Sequence, residues 1–368
     1  MHVVQLSCHL DAERREPERL LAAWPTLSEV AAAVACTGAR VSVVQAAHRD
    51  ARLERDGVAY HFVAPGGAGV LAWRLARRVR ALAPDVVHLQ GLGFPLQARL
   101  LARAARAPVL VQDRADRPPP PWRRPLHRWG LARIAGAAFT AAAQAAPFVE
   151  AGVLRRDLPI FEVPGSSSRF TPGDQRAARA ATGLHGDPCL LWVGRLDANK
   201  DPLTVLDALS ASLCRLPGAQ LWCCYTEAPL LARVRARLAA EPELAARVHL
   251  LGTVAHAQVQ ALCRAADFLV LGSHRESTGF AVLEALACGT PPLVTEIPAF
   301  RRLTGEGSVG ALSPPGDAAA MARAWSDWCR RDRATLRRAA RAHFERHLSL
   351  PALGAALRGV YGALRRPA

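Results

Sequence analysis

An α/β fold built as two doubly wound domains is predicted by three features of this 368-residue sequence. Short apolar runs suited to buried strands alternate with longer segments of helical periodicity, the pattern of parallel strands joined by crossover helices. That pattern stops at the Gly-, Pro- and Ser-rich stretch 164–172, PGSSSRFTP, and then starts again. The length also exceeds the roughly 250 to 300 residues at which single cores tend to split. The expected division is a first domain over 1–166, a linker region over 167–185 and a second domain over 186–349. The helix at 350–368 is expected to return to the first domain.

In the first half, strands are expected at 3–6, 40–45, 56–63, 85–89 and 109–111. Helices are expected at 26–36, ended by Gly38, and at 94–105. Between them, after the loop Gly66-Gly67-Ala68-Gly69, Leu71, Leu75, Val79 and Leu82 recur at helical spacing with arginines on the other faces. The segment 122–133, WRRPLHRWGLAR, interleaves Trp122, Leu126, Trp129 and Leu131 with arginines. Such a segment suits an anionic membrane surface, and equally a solvated helix packed by its tryptophans.

In the second half, the apolar strand 189–193 runs into GRLDANKDP, where Asp201 and Pro202 suit the N-cap and first position of a helix. Arg195 and Lys200 bracket this loop, which therefore offers two cations and a helix N-terminus to a pyrophosphate. Lys200 is the only lysine in the chain, which hints that a compact ammonium is needed there. Strands at 220–225, 248–251, 267–272 and 292–295 follow, with helices at 230–239, 257–264, 318–329, 336–347 and 353–364. After the strand at 267–272 comes ESTGFAVLEALACGT, with Glu276 in the loop and Glu284 eight residues on, in the helix. A carboxylate accepts hydrogen bonds from paired hydroxyls, so this corner reads as a grip for a polyol, sugar or ribose. It reads equally as helix capping and solvation.

Composition narrows the function classes. A hydrophobic fraction of 51% marks a globular chain, and no run of eighteen apolar residues indicates a transmembrane helix. Nine cysteines without a CxxC pair, and a start without the marks of a signal peptide, lead us to expect a cytoplasmic protein, at most peripheral on that face of a membrane. The net charge of +16 fits either an anionic partner such as lipid or a compositional bias toward arginine. Nucleic acid is not expected as a partner, because no helix-turn-helix, zinc-finger or aromatic ribonucleoprotein motif is present.

Taken together, VGRLDANKD, GTV at 252–254 and the E-x7-E of ESTGFAVLEALACG, in this order, resemble the retaining GT-B glycosyltransferases of family 4. DVVH at 85–88, VPGSSSRFTP and GALSPPGD at 310–317 extend the resemblance along nearly the whole chain. The resemblance implies two Rossmann-like domains facing across a cleft and sugar transfer from a nucleoside diphosphate, as in polysaccharide biosynthesis. Arg195 and Lys200 would hold the diphosphate without a metal. Glu276 would orient the sugar, Gly279 and Phe280 would offer backbone amides, Glu284 would hold the ribose, and Thr253 and Val254 would border the base. No cofactor beyond the donor is implied. The acceptor would be a glycan, lipid or small molecule.

Three departures stand out. Ser7-Cys8-His9-Leu10-Asp11 lacks the glycine-rich loop often found after the first strand, and Cys223-Cys224-Tyr225-Thr226-Glu227 lacks the usual GxG, so that this loop is expected to shape the donor end differently. Gln112-Asp113-Arg114 stands where many members carry a histidine, so that Arg114 or Asp113 positions the acceptor or activity is weakened. His9, His88 and Asp116 are further acceptor-side candidates, although a lone histidine at a strand end is more often structural. The alternatives are a degenerate sugar-nucleotide-binding protein of the same fold and a nucleotide-sugar epimerase, against which the E-x7-E and GRL-x4-K combination argues.

Overall fold

A computed structural model describes residues 1–67, 70–115 and 117–365. The chain forms two compact units, Met1–Ser167 with Leu350–Ala368, and Ser168–Ser349. The first contains β1 (His2–Ser7), β2 (Arg40–Ala46), β3 (Ala51–Arg55), β4 (Val58–Val63), β5 (Val86–Gln90), β6 (Val109–Gln112), β7 (Gly136–Phe139) and β8 (Ile160–Glu162). They form one sheet in the order β3-β4-β2-β1-β5-β6-β7-β8, parallel except for the edge strand β3. The second contains β9 (Cys189–Val193), β10 (Gln220–Cys224), β11 (Val248–Gly252), β12 (Phe268–Leu271), β13 (Pro292–Thr295) and β14 (Ala311–Ser313), in the order β11-β10-β9-β12-β13-β14 and all parallel.

Both orders reverse direction at a central pair, β1 beside β5 in the first sheet and β9 beside β12 in the second. At such a switch the two crossovers leave toward opposite faces, so the loops after the paired strands part and open a crevice. The strands read as continuous apolar runs because helices cover both faces. In the first unit, alternate residues of β5 and β6 enter separate cores: Val87, Leu89, Val109 and Val111 on one face, Val86 and Leu110 on the other. The second face is covered by helices Pro25–Ala35 and Leu350–Arg365. The last helix is fixed there by Tyr361, whose hydroxyl hydrogen-bonds His88 Nδ1 at 2.7 Å.

Several local expectations require correction. The strand expected at 56–63 begins at Val58, because Asp56 and Gly57 (φ 52° and 70°) form the turn of a β3-β4 hairpin. Strands β7 and β8 were not anticipated. GAAF is too alanine-rich to read as a strand, and three-residue IFE is too short to show alternation. The expected linker contains helix Gln175–Thr182, N-capped by Asp174 and tied to the second sheet. Gln175 Nε2 and Arg179 both donate to the buried Asp267 carboxylate (3.0 and 2.9 Å), which also accepts from Arg333 and the Cys189 amide. The loop 66–69 falls partly, and Asp116 wholly, outside the described residues.

Candidate functional site

The second unit's switch point is built from two loops laced to each other. After β9, Asp197 accepts the Lys200 amide (2.9 Å) and pairs with Arg195 (3.0 Å), which tightens the loop into a turn. Asp201 ends it by capping helix Pro202–Ser212, accepting from the Thr204 amide (3.2 Å) and hydroxyl (2.6 Å). After β12, the loop 272–279 reaches across to it. His274 Nε2 hydrogen-bonds the Asp201 carboxylate (3.0 Å), the His274 amide donates to the Asn199 carbonyl (2.8 Å), and the Asn199 side chain donates to the Arg275 carbonyl (3.0 Å).

This lacing brings Lys200 Nζ onto Glu276 Oε1, an oxygen that also accepts from Ser273 Oγ (2.9 Å). Both members of the ion pair are largely withdrawn from solvent, at 16% and 13% side-chain exposure. The ammonium is therefore held in place before any ligand arrives, and its field is little screened by water. Arg195 is more open, at 48%, with Asp197 beside it and Glu227 3.8 Å away.

Gly279 starts the next helix, Phe280–Ala287, from the left-handed region (φ 69°), and a Cβ there would lie 2.7 Å from Leu303 Cδ1. Val282 and Leu283 donate to the Gly279 carbonyl, so the amides of Phe280 and Ala281 come before the first intrahelical bond, and both residues line the cavity. One turn further in, Glu284 is 14% exposed and accepts from His256 Nε2 at 2.7 Å. Burial raises the Glu284 carboxyl pKa, and His256 partly offsets the rise.

These groups line one cavity of about 530 Å³. Of the residues expected in a donor site, Arg195, Lys200, Glu276, Gly279, Phe280, Glu284 and Val254 are there together. Thr253 stands outside the lining, exposed, with its hydroxyl donated to the Tyr225 carbonyl (3.2 Å). Tyr225 and Thr226, following β10, border the cavity instead. Both belong to the loop 223–227, which the missing GxG had led us to expect at the donor end in an altered form. His256 was not expected from sequence, since nothing in the chain marked it as a partner of Glu284. Cys224 also lines the cavity, but burial pushes its thiol up to about 12, which keeps it neutral. Among the described residues, no three His, Cys, Asp or Glu side chains are grouped to hold a metal ion.

The remaining candidates belong to the first unit. Arg114, in the loop after β6, donates from Nε and Nη2 to Gln90 Oε1 (3.1 and 2.8 Å), at the end of β5. Its charge lowers the pKa of His9 and His88, second in each case to burial. Asp113 is buried and accepts the Ala115 amide (3.0 Å), so it shapes its own loop. His88 is fully buried, and burial takes its pKa to about 3, which makes it a neutral partner of Tyr361 in the core. Of the two readings open for it, acceptor-side group or structural histidine at a strand end, this arrangement fits the structural one. His9 is exposed and packs edge-on to Phe94.

The two Rossmann-like α/β units with parallel sheets match the architecture of solved GT-B glycosyltransferases over nearly the whole chain. The chain resembles sucrose-phosphate synthase from Thermosynechococcus elongatus (TM-score 0.70, 16% identity, 99% of each chain) and Anabaena HepE solved with UDP (TM-score 0.71, 16% identity, 99% of this chain and 100% of that one). Residues 174–343, nearly all of the second unit, match the family model Glycosyl transferases group 1. Within the curated proteins, D-inositol 3-phosphate glycosyltransferase of Mycobacterium tuberculosis is 36% identical over 149 residues. That alignment spans 39% of this chain and 30% of the relative's length. No helix among the described residues is long and apolar enough to cross a membrane.

Proposed function

We propose that this protein is a retaining glycosyltransferase of family 4 that moves a sugar from a nucleoside diphosphate to an acceptor hydroxyl on a glycan, lipid or small molecule. The observation that carries this reading is the union of two cations and two partly buried carboxylates on one cavity at the second switch point. Arg195 and Lys200 meet the diphosphate, Glu276 the sugar hydroxyls and Glu284 the ribose diol. As the anomeric carbon–oxygen bond breaks, charge grows on the leaving phosphate, and a fixed cation stabilises that state more than the ground state. The acceptor oxygen bonds to the same face of the anomeric carbon and its proton passes to the departing phosphate. No protein nucleophile takes part, and the two cations supply the neutralisation without a metal. We place the protein in the cytoplasm.

Two comparisons support the nucleotide-sugar class: the group 1 match over the second unit, and HepE, which is solved with UDP and with UDP-glucose. Thermal unfolding with UDP-, GDP- and ADP-sugars tests it. A donor at 100 times its Kd should add about 2.7 kcal/mol of stability. No shift with any of them would refute the donor site. A second reading, donor binding without turnover, is favoured by Arg114 standing where the resemblance leads one to expect a histidine. Donor stabilisation with neither hydrolysis nor transfer across an acceptor panel would select it.

A further inference from the structure

Helices Leu71–Ala81, Pro95–Ala104 and Arg124–Leu131 lie side by side over one face of the first sheet, burying Leu75, Val79, Ala98, Leu101 and Leu131 in a shared core. Their outer side is unusual. Trp73, Leu96, Leu126 and Trp129 are 55%, 42%, 51% and 44% exposed, and Trp122, on the short turn leading into the third helix, is 73% exposed. Single exposed apolar residues are ordinary, but a cluster of large ones on one layer marks an interaction surface.

The three helices carry arginines and no carboxylate of their own, and from outside them Asp50 pairs with Arg74 at 2.6 Å. Arg77 lies over the Trp73 ring (5.5 Å to its centre), Arg123 over Trp122 (4.4 Å) and Arg99 over Trp129 (5.1 Å). Among the described residues, no carboxylate pairs with any of these three. Arg99 has its pKa lowered by burial and then by Arg103 and Arg133, so like charges are concentrated beside it. The second and third helices are in close contact: a Cβ on Gly130 would lie 2.4 Å from Pro95.

The geometry points to this three-helix layer as a docking surface for an anionic lipid bilayer. Indoles sit well at the level of lipid headgroups, and guanidiniums stacked on them reach the phosphates. Leu96 and Leu126 need an apolar phase, which a nucleic acid does not offer. A second copy of the chain would set arginine against arginine, which costs free energy that an anionic surface returns. The inference stands on the first unit alone and survives failure of the donor-site reading.

Co-sedimentation of the full chain with mixed phosphatidylglycerol and phosphatidylcholine vesicles tests it. Binding is expected at low salt, falling as salt rises, and weak or absent on pure phosphatidylcholine. Both Trp122→Ser/Leu126→Ser and Arg77→Gln/Arg123→Gln should lower the partition coefficient at least roughly tenfold. Arg233→Gln/Arg235→Gln, removing the same charge from exposed helix Leu231–Ala239 of the second unit, should leave it within about twofold. Circular dichroism and thermal unfolding should show all three variants folded, since the altered side chains are on the surface. Absence of binding to anionic vesicles at low salt would overturn the inference. So would equal losses in the control pair, patch-dependent dimerisation without vesicle binding, or patch-dependent binding to an oligonucleotide with none to vesicles.

Discussion

The two units share one architecture and have put it to different uses. At the carboxyl edge of the second sheet, Lys200 and Glu276 are paired, Glu284 is held by His256, and the loops bearing them are laced through Asp201, His274 and Asn199. At the equivalent edge of the first sheet, Arg114 rests on the neutral amide of Gln90, and the nearest histidine in a strand, His88, is buried against Tyr361. The surfaces differ in the same sense. Exposed large apolar side chains gather on the first unit, whereas in the second, among the described residues, Phe280 at the cavity is the example. The second unit thus presents an ionic cavity whose charges are paired in advance, and the first presents a cation held by two hydrogen bonds to a neutral amide.

The strongest way to break that contrast is Lys200→Ala. It removes the cation and leaves Glu276 largely buried with its ammonium partner gone, so both the phosphate and the sugar grip should suffer. A charge-assisted hydrogen bond of roughly 1.5 to 3 kcal/mol predicts about a 10- to 150-fold loss in kcat/KM for the donor. Steady-state hydrolysis or transfer checks it, and wild-type kinetics would remove Lys200 from the site.

Glu284→Ala should weaken nucleotide binding roughly tenfold by removing hydrogen bonds to a charged acceptor. The pH dependence is more specific. Because burial raises the Glu284 pKa, the folded carboxyl takes up its proton at a higher pH than the unfolded one. Between the two values the folded state holds more protons, so this group's contribution to stability declines as pH rises through the folded pKa. On the proposed donor site, ribose binding should run the other way, since it would use the carboxylate and be lost as pH falls through the same pKa. His256→Ala removes the opposing interaction and should move the acid limb of nucleotide affinity to higher pH. Calorimetric Kd values across pH, with an unmoved limb, would detach His256 from Glu284. For Gly279→Ala, a left-handed φ and the Leu303 contact predict about 1 to 2 kcal/mol of lost stability by urea unfolding.

How much of this was legible in the sequence follows from where the information is local. Strands such as Cys189–Val193 and Val86–Gln90 declare themselves as apolar runs, and the loop ending at Asp201-Pro202 declares a helix start. That the loops after these strands share one edge of their sheet follows once parallel crossovers are assumed, whereas the strand orders that make the switch points are seen only in the structure. Long-range partners were out of reach: His256 is 28 residues from Glu284, and Tyr361 is 273 residues from His88. Strand β7 was hidden because alanine has no β preference of its own, and its place is set by the neighbours Leu110 and Ile160 to which it pairs. The segment 122–133 gave its composition but not its company. Only the structure shows that Trp73 and Leu96, on other helices, share its layer.

Arg114→Ala is the smallest expected effect and the sharpest test of the difference between the units. Arg114 belongs to the first unit and its guanidinium is bonded to an amide, so its charge is not neutralised by its hydrogen-bond acceptor. If it positions an acceptor, its loss should raise acceptor KM by about fivefold, the range for one exchangeable polar contact. Donor affinity should stay within about twofold, because effects at sites without shared partners are close to additive. His9 supplies an internal reporter. The Arg114 charge depresses its pKa, so NMR titration of His9 should move upward in the variant whether or not the acceptor is known. An upward move with unchanged acceptor KM would leave Arg114 as a local charge with no part in transfer. A changed acceptor KM with unchanged donor affinity would make the first unit's variable loop a determinant of acceptor choice.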